Sequence, residues 1–101
     1  MKTRYTWDEA KRQRNIVERG LDFADADRVL QSDYRFDVPS LRNDEMRVAS
    51  FAYVFEVLHV LLVVHAPGTT HRIISFRAAH PDEREVYHEW LANEFKRNDA
   101  G

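Results

Sequence analysis

The chain has no cysteine, and only three glycines and three prolines among its 101 residues. The missing cysteine excludes disulfides, thiolate metal ligands and a cysteine nucleophile together. The scarcity of glycine and proline excludes a linker-rich or collagen-like chain, and neither an internal repeat nor a low-complexity segment is present. A long hydrophobic run is absent too. The most apolar stretch, Phe51 to Val64, is interrupted by Glu56 and His59 and is too short to cross a bilayer as a helix. Met1 to Trp7 is basic but no apolar segment follows it, so no secretory signal is read and a cytoplasmic protein without membrane contact is expected.

Excess positive charge is also lacking. The formal net charge is -2, which gives no overall attraction toward nucleic acid. The charges are uneven, however: basic residues outnumber acidic ones as far as Gly20, and acidic residues dominate from Leu21 to Glu45. One basic surface on a polar molecule is compatible with that distribution. A direct DNA-binding regulator, motivated only by the basic first helix, ranks last among the readings.

The sequence is 44% hydrophobic, enough for one small core in a single domain spanning residues 1–101. A domain of this size without staples relies on packing or on a partner. Asp8 reads as an N-cap and Gly20 as the residue past a C-terminus, which predicts a helix from about Glu9 to Arg19. Asp22 reads as the cap of a second helix whose buried stripe is Phe23, Ala26, Val29 and Leu30. A short strand is expected over Thr3 to Trp7. Further strands are expected at Glu45 to Val54, Val57 to Ala66 and His71 to Arg77, with a short one at Tyr34 to Asp37. Pro67-Gly68 marks a hairpin turn. Pro81, followed by Asp82 and Glu83, starts a third helix with Val86, Tyr87, Trp90, Leu91 and Phe95 on its apolar face and a polar tail from Lys96 that is expected to fray. The expected class is α+β, a small antiparallel sheet packed on two N-terminal helices with a C-terminal helix.

Strand alternation divides the side chains between two faces. If the apolar faces take the helices, Glu45, Arg47, His59, His65, Ser75 and Arg77 collect on an open opposite face. Such a set suits RNA cleavage: a base activates the ribose 2′-hydroxyl, an acid protonates the leaving oxygen, and cations hold the charged phosphorane. His65 or Glu45 would serve as base or acid, with Arg47 and Arg77 as phosphate clamps. The bland reading is cross-strand ion pairing and a packed imidazole, and for Tyr87 and Glu83 it is core packing and helix-terminus pairing. No cofactor is expected. Metal binding is not expected either, since the five histidines make no compact spacing with carboxylates.

The order of these signals resembles a known family. Trp7-Asp8 with Lys11 and Asn15, then Gly20 with Phe23 and Ala26, Glu45 with Arg47, the run Arg72-Ile73-Ile74-Ser75-Phe76-Arg77, and Glu83 with Tyr87 are similar to the BrnT toxins, from about Tyr5 to Trp90. The resemblance implies a RelE-like fold and a ribonuclease that stops translation. It also implies a hetero-oligomer with a BrnA-like ribbon-helix-helix antitoxin, through which alone DNA is contacted. Carried over by motif are Glu45, Arg47 and Arg77 as catalytic groups, Arg72 and Ser75 as RNA-binding groups, and Glu83 and Tyr87 as supporting groups, with His65 added from the hairpin strand. The chain departs from the family pattern at Glu18-Arg19-Gly20, where a Lys-His-Gly is usual, and in the segment Asp37 to Asp44, which has no histidine. Arg19 keeps a cation for RNA binding but cannot act as a base. These departures define the alternative: a weakened or inactive toxin homologue serving as an antitoxin-binding module or co-repressor.

Overall fold

The computed structural model describes residues 4–100, with side chains through residue 97. Thr3, expected in the first strand, and Gly101 at the end of the tail lie outside the described residues. The elements are β1 (Arg4–Trp7), α1 (Glu9–Arg19), a 3₁₀ turn (Phe23–Asp25), α2 (Asp27–Leu30), β2 (Phe36–Arg42), β3 (Glu45–Val54), β4 (His59–Ala66), β5 (Thr70–Ala78) and α3 (Pro81–Ala100).

Local chemistry accounts for the first turns. The Asp8 carboxylate accepts from the Lys11 N–H at 3.1 Å, and Gly20 ends α1 in the left-handed region at φ 72°, donating to the Ile16 carbonyl. Asn15, buried on α1, donates to the carbonyls of Leu21 and Phe76, both at 2.8 Å, and so ties the helix to β5. Arg12 holds Asp22 through two bonds of 2.7 and 2.9 Å and also reaches Glu9. Asp22 accepts from the Ala24 N–H at 2.9 Å. The predicted second helix is corrected in form: its four apolar residues are buried as expected, but they sit on a 3₁₀ turn followed by a single turn of α-helix. With the Asp25 and Ala26 N–H groups drawn into i to i+3 bonds to the Asp22 and Phe23 carbonyls, one regular helix does not span the segment.

The sheet order is β1-β5-β4-β3-β2, with β1 parallel to β5 and every other pair antiparallel. The sheet is therefore mixed, where an antiparallel one was expected. β2 extends well beyond the short strand anticipated. Asn43 and Asp44 both take left-handed φ values, 52° and 62°, in a two-residue turn that pairs Arg42 with Glu45. Pro39 sits on this edge strand, where its missing N–H interrupts no internal ladder. The Pro67-Gly68 hairpin is as read, but β4 starts at His59, because Val57 and Leu58 donate to the Val54 carbonyl in a tight turn.

Both faces of the sheet carry core. On one, Ala52, Val54, Leu61, Val63, Ile73 and Phe76 pack beneath Phe23, Ala26, Val29 and Leu30. On the other, Phe51, Val60 and Leu62 meet Tyr87, Trp90 and Leu91 of α3. A side chain of this size contributes roughly 1.5–3 kcal/mol on burial. Tyr87 is fixed further, donating from its hydroxyl to the Tyr34 carbonyl at 2.8 Å and accepting from the Tyr53 N–H at 3.2 Å. Val86 and Phe95 of the expected apolar face remain exposed, and the helix spans Pro81–Ala100. No helix among the described residues is long and apolar enough to cross a membrane.

Candidate functional site

α3 covers one half of its face of the sheet, where it meets Phe51, Val60, Leu62 and Ala79. The other half, formed by the starts of β3 and β5 and the end of β4, carries Glu45, Arg47, Arg72 and Ser75. Arg72 donates from one nitrogen to both Glu45 oxygens, at 2.7 and 2.8 Å, and Arg47 Nε donates to the same carboxylate at 3.0 Å. Hydrogen bonding from Arg72, and then from Arg47, holds the Glu45 carboxyl below the usual carboxylate range. Such a group stays ionised and is a weak base at neutral pH. Its geometric effect is to fix two guanidiniums side by side. Two cations against one anion leave one net positive charge, and Arg47 NH1 and NH2 with Arg72 NH1 and Nε point no bond at Glu45.

Ser75 lies half-buried on this face, paired across from Val64. Arg77 stands at the boundary with α3, where its guanidinium is already paired. It donates to both Glu83 oxygens, at 2.8 and 2.9 Å, and Glu83 also accepts from the His80 N–H at 2.7 Å. That pairing, led by the Arg77 bond, pulls the Glu83 carboxyl down to about 2. Arg77 is thus neutralised by the helix start, and Glu83 and Tyr87 serve to dock α3. Arg19 is exposed in the last turn of α1, the helix that packs on the opposite face through Asn15.

His65 is also corrected, since it does not share a surface with Glu45, Arg47 and Arg77. On β4 it follows the parity of Leu61 and Val63, which places it beneath α2, and it is only 2% exposed. His59 follows the same parity at the exposed start of the strand. A bulge makes the offset: His65 pairs with Ile73 although its neighbour Val64 pairs with Ser75, so Ile74 has no partner in the register. Ile73 thereby enters the core under the helices.

Around His65 lies a group that sequence reading did not assemble. Ser50, fully buried, donates from Oγ to Asp37 Oδ1 at 2.7 Å and lies 2.9 Å from His65 Nε2. His65 Nδ1 lies 3.3 Å from His71 Nδ1. Arg35 closes the outer end, paired with Asp37 at 3.0 Å and donating to the Leu30 carbonyl at 2.7 Å. Burial, followed by the charges of His71 and Arg35, pushes the His65 imidazole down to about 4, so it is neutral at physiological pH. Beside it is a cavity of about 180 Å³ lined by Tyr5, Leu30, Gln31, Arg35 and His71. The signal that was available is Asp37, Ser50 and His65 each at a strand position of suitable parity. Without the register of β2 on β3, nothing joined them.

Comparison with protein families gives the class first: residues 7–83 match the family model of a ribonuclease toxin of type II toxin–antitoxin systems. That family is BrnT, and the chain belongs to it. The matched residues include Glu45, Arg47, Arg72 and both buried-face histidines, while Tyr87 lies beyond them. No curated protein matches the chain.

Proposed function

We propose that this chain is an endoribonuclease that cuts RNA without a metal ion, halts translation in the cytoplasm, and is neutralised by a BrnA-like ribbon-helix-helix antitoxin. The observation that carries this reading is the Glu45-Arg47-Arg72 cluster on the half of the sheet that α3 leaves uncovered, in a chain of the BrnT family. A phosphodiester presents two non-bridging oxygens that planar guanidinium donors bind at two points, and it gains charge density as the 2′-oxygen attacks. Cations already fixed by Glu45 need no reorganisation to meet that charge. With a net charge of -2, contact with operator DNA is assigned to the antitoxin in a hetero-oligomer. RelE-like architecture is part of the same proposal.

Incubation of the purified chain with single-stranded RNA in EDTA tests it. Wild type is expected to cleave, and replacement of both Arg47 and Arg72 by alanine to slow cleavage by about 100-fold, the scale of a lost transition-state donor. Undiminished cleavage by the double variant would remove this cluster from the reaction. An inactive antitoxin-binding module is favoured by one observation: among the described residues no hydrogen bond joins an imidazole to the cluster. Expression without an antitoxin separates the readings, since the active toxin arrests growth and the module does not.

A further inference from the structure

Strand register shows what flanks the Glu45-Arg47-Arg72 cluster on its own face of the sheet. Tyr5 pairs with His71, and their rings lie 6.2 Å apart on the side that α2 covers. Alternation therefore turns the neighbouring Arg4 and Thr6 of β1 to the cluster's side, where Thr6 pairs with Arg72. At the other edge Ser40 pairs with Arg47 and Arg42 with Glu45, so β2 brings a hydroxyl and a further guanidinium to the same face. Arg4 and Arg42 are both exposed. The cluster thus sits between two outer arginines, one on each edge strand, which four inter-strand steps set about 19 Å apart.

The charge of this half-face is opposite to that of the molecule. Its strand positions carry Arg4, Arg42, Arg47 and Arg72 against Glu45 alone, with Asp44 in the turn beyond, in a chain whose net charge is -2. Acids gather over the other face instead, where Asp22, Asp25 and Asp27 belong to the 3₁₀ turn and α2. No aromatic ring occupies the open positions either, since Phe36, Phe51 and Trp90 pack together where α3 covers the sheet.

We propose that single-stranded RNA crosses this face from one edge of the sheet to the other, with Arg4 and Arg42 binding the phosphates that flank the one held by Arg47 and Arg72. The proposal deepens the ribonuclease reading and rests on it for the identity of the ligand. A span of about 19 Å holds about four nucleotides, the low end for small folds that bind single strands. Guanidiniums meet phosphate oxygens, and the Thr6 and Ser40 hydroxyls, in the row with Arg72 and Arg47, stand where a ribose or phosphate oxygen passes. With no ring on which a base can stack, the site holds the backbone and tolerates sequence. The cations form a single track, which neutralises one backbone and leaves the second backbone of a duplex without partners.

Fluorescence anisotropy of a labelled 2′-O-methyl oligonucleotide, whose blocked 2′-oxygen prevents cleavage, separates binding from reaction. Wild type is titrated at several salt concentrations beside Arg4→Ala/Arg42→Ala, Arg4→Lys/Arg42→Lys, and Lys11→Ala/Arg14→Ala on α1, which packs on the other face. The outer alanine pair is expected to weaken binding about 10-fold and to reduce the slope of log affinity against log salt by about 0.7 for each arginine removed. Lysine at both positions is expected to restore the slope, and the α1 variant to keep wild-type affinity. Homopolymers of different base should bind alike, and a duplex more weakly than its single strands. Wild-type affinity and slope in Arg4→Ala/Arg42→Ala, or their loss only in the α1 variant, overturns the track. If the outer alanine pair loses affinity for polyglutamate and not for the oligonucleotide, the face belongs to an acidic polypeptide and the proposal is overturned too. Cleavage of RNA with no binding effect of the outer arginines keeps the ribonuclease reading and removes the track. The expected binding pattern in a protein that leaves RNA uncut keeps the track and removes that reading.

Discussion

Arg77 and Glu83 face each other across the junction of β5 and α3 with two parallel N–H to oxygen bonds of 2.8 and 2.9 Å. The pair is mostly shielded from solvent, and Glu83 also caps the helix through His80 N–H, so it joins sheet, turn and helix in one bonded unit. Arg77→Ala leaves Glu83 without its partner and is expected to destabilise by about 2–3 kcal/mol. Urea denaturation measures that loss. RNA cleavage per folded molecule is expected to be unchanged, and its abolition with the fold intact would return Arg77 to the reacting phosphate.

Tyr87 presents the same contrast in the core. Its hydroxyl bridges Tyr34 and Tyr53, and burial raises its pKa, so no proton transfer at neutral pH is expected of it. Tyr87→Phe should cost about 1–2 kcal/mol in thermal unfolding, with cleavage unaltered at temperatures where the variant is folded.

These two residues show how much was legible in sequence. Glu83 and Tyr87 were readable as helix-terminus and core residues because Glu83 falls in the first turn of α3 and Tyr87 on its apolar stripe, although their partners Arg77, Tyr34 and Tyr53 lie outside the helix. The caps of α1 at Asp8 and Gly20, the bounds of β3 and the stripe from Phe23 to Leu30 were legible for the same reason: the forces that set them act within a few residues. The site was less so. Reading one face of β4 as open overlooked that Val60 to Val63 is a continuous apolar run, the signature of a strand covered on both sides. The β4–β5 bulge and the pairing of Asp37 with Ser50 depend on register between strands, which alternation within one strand does not encode.

His65 makes stability depend on pH. Its ordinary value is 6.5 and its folded value is about 4, so between those limits the unfolded chain binds more protons. Stability is accordingly full above about pH 6.5 and falls as pH drops toward 4, by up to about 3 kcal/mol. The lowered carboxylates Asp22 and Glu83, both near 2, add their own loss below 4.5. Denaturation midpoints between pH 4.5 and 6.5 isolate the imidazole, and the slope there should be reduced in His65→Gln.

Leu58 holds a φ of 57° in the β3–β4 turn, with its side chain exposed. A branched side chain in the left-handed region costs roughly 1–2 kcal/mol, and glycine avoids that clash while losing more entropy on folding. Leu58→Gly is expected to raise stability by up to about 1 kcal/mol in urea denaturation, and a decrease would show that Leu58 makes packing contacts that outweigh the strain.

The central claim is that this chain cuts RNA by attack of the ribose 2′-oxygen on the neighbouring phosphate, with guanidiniums rather than a metal ion meeting the charge. Identification of the new RNA ends formed by the purified protein in EDTA tests it most directly. Products ending in a 2′,3′-cyclic phosphate, with a single 2′-deoxy nucleotide at the cut site blocking cleavage, are the predicted result. Ends carrying a free 3′-hydroxyl, or RNA left uncut, would contradict it.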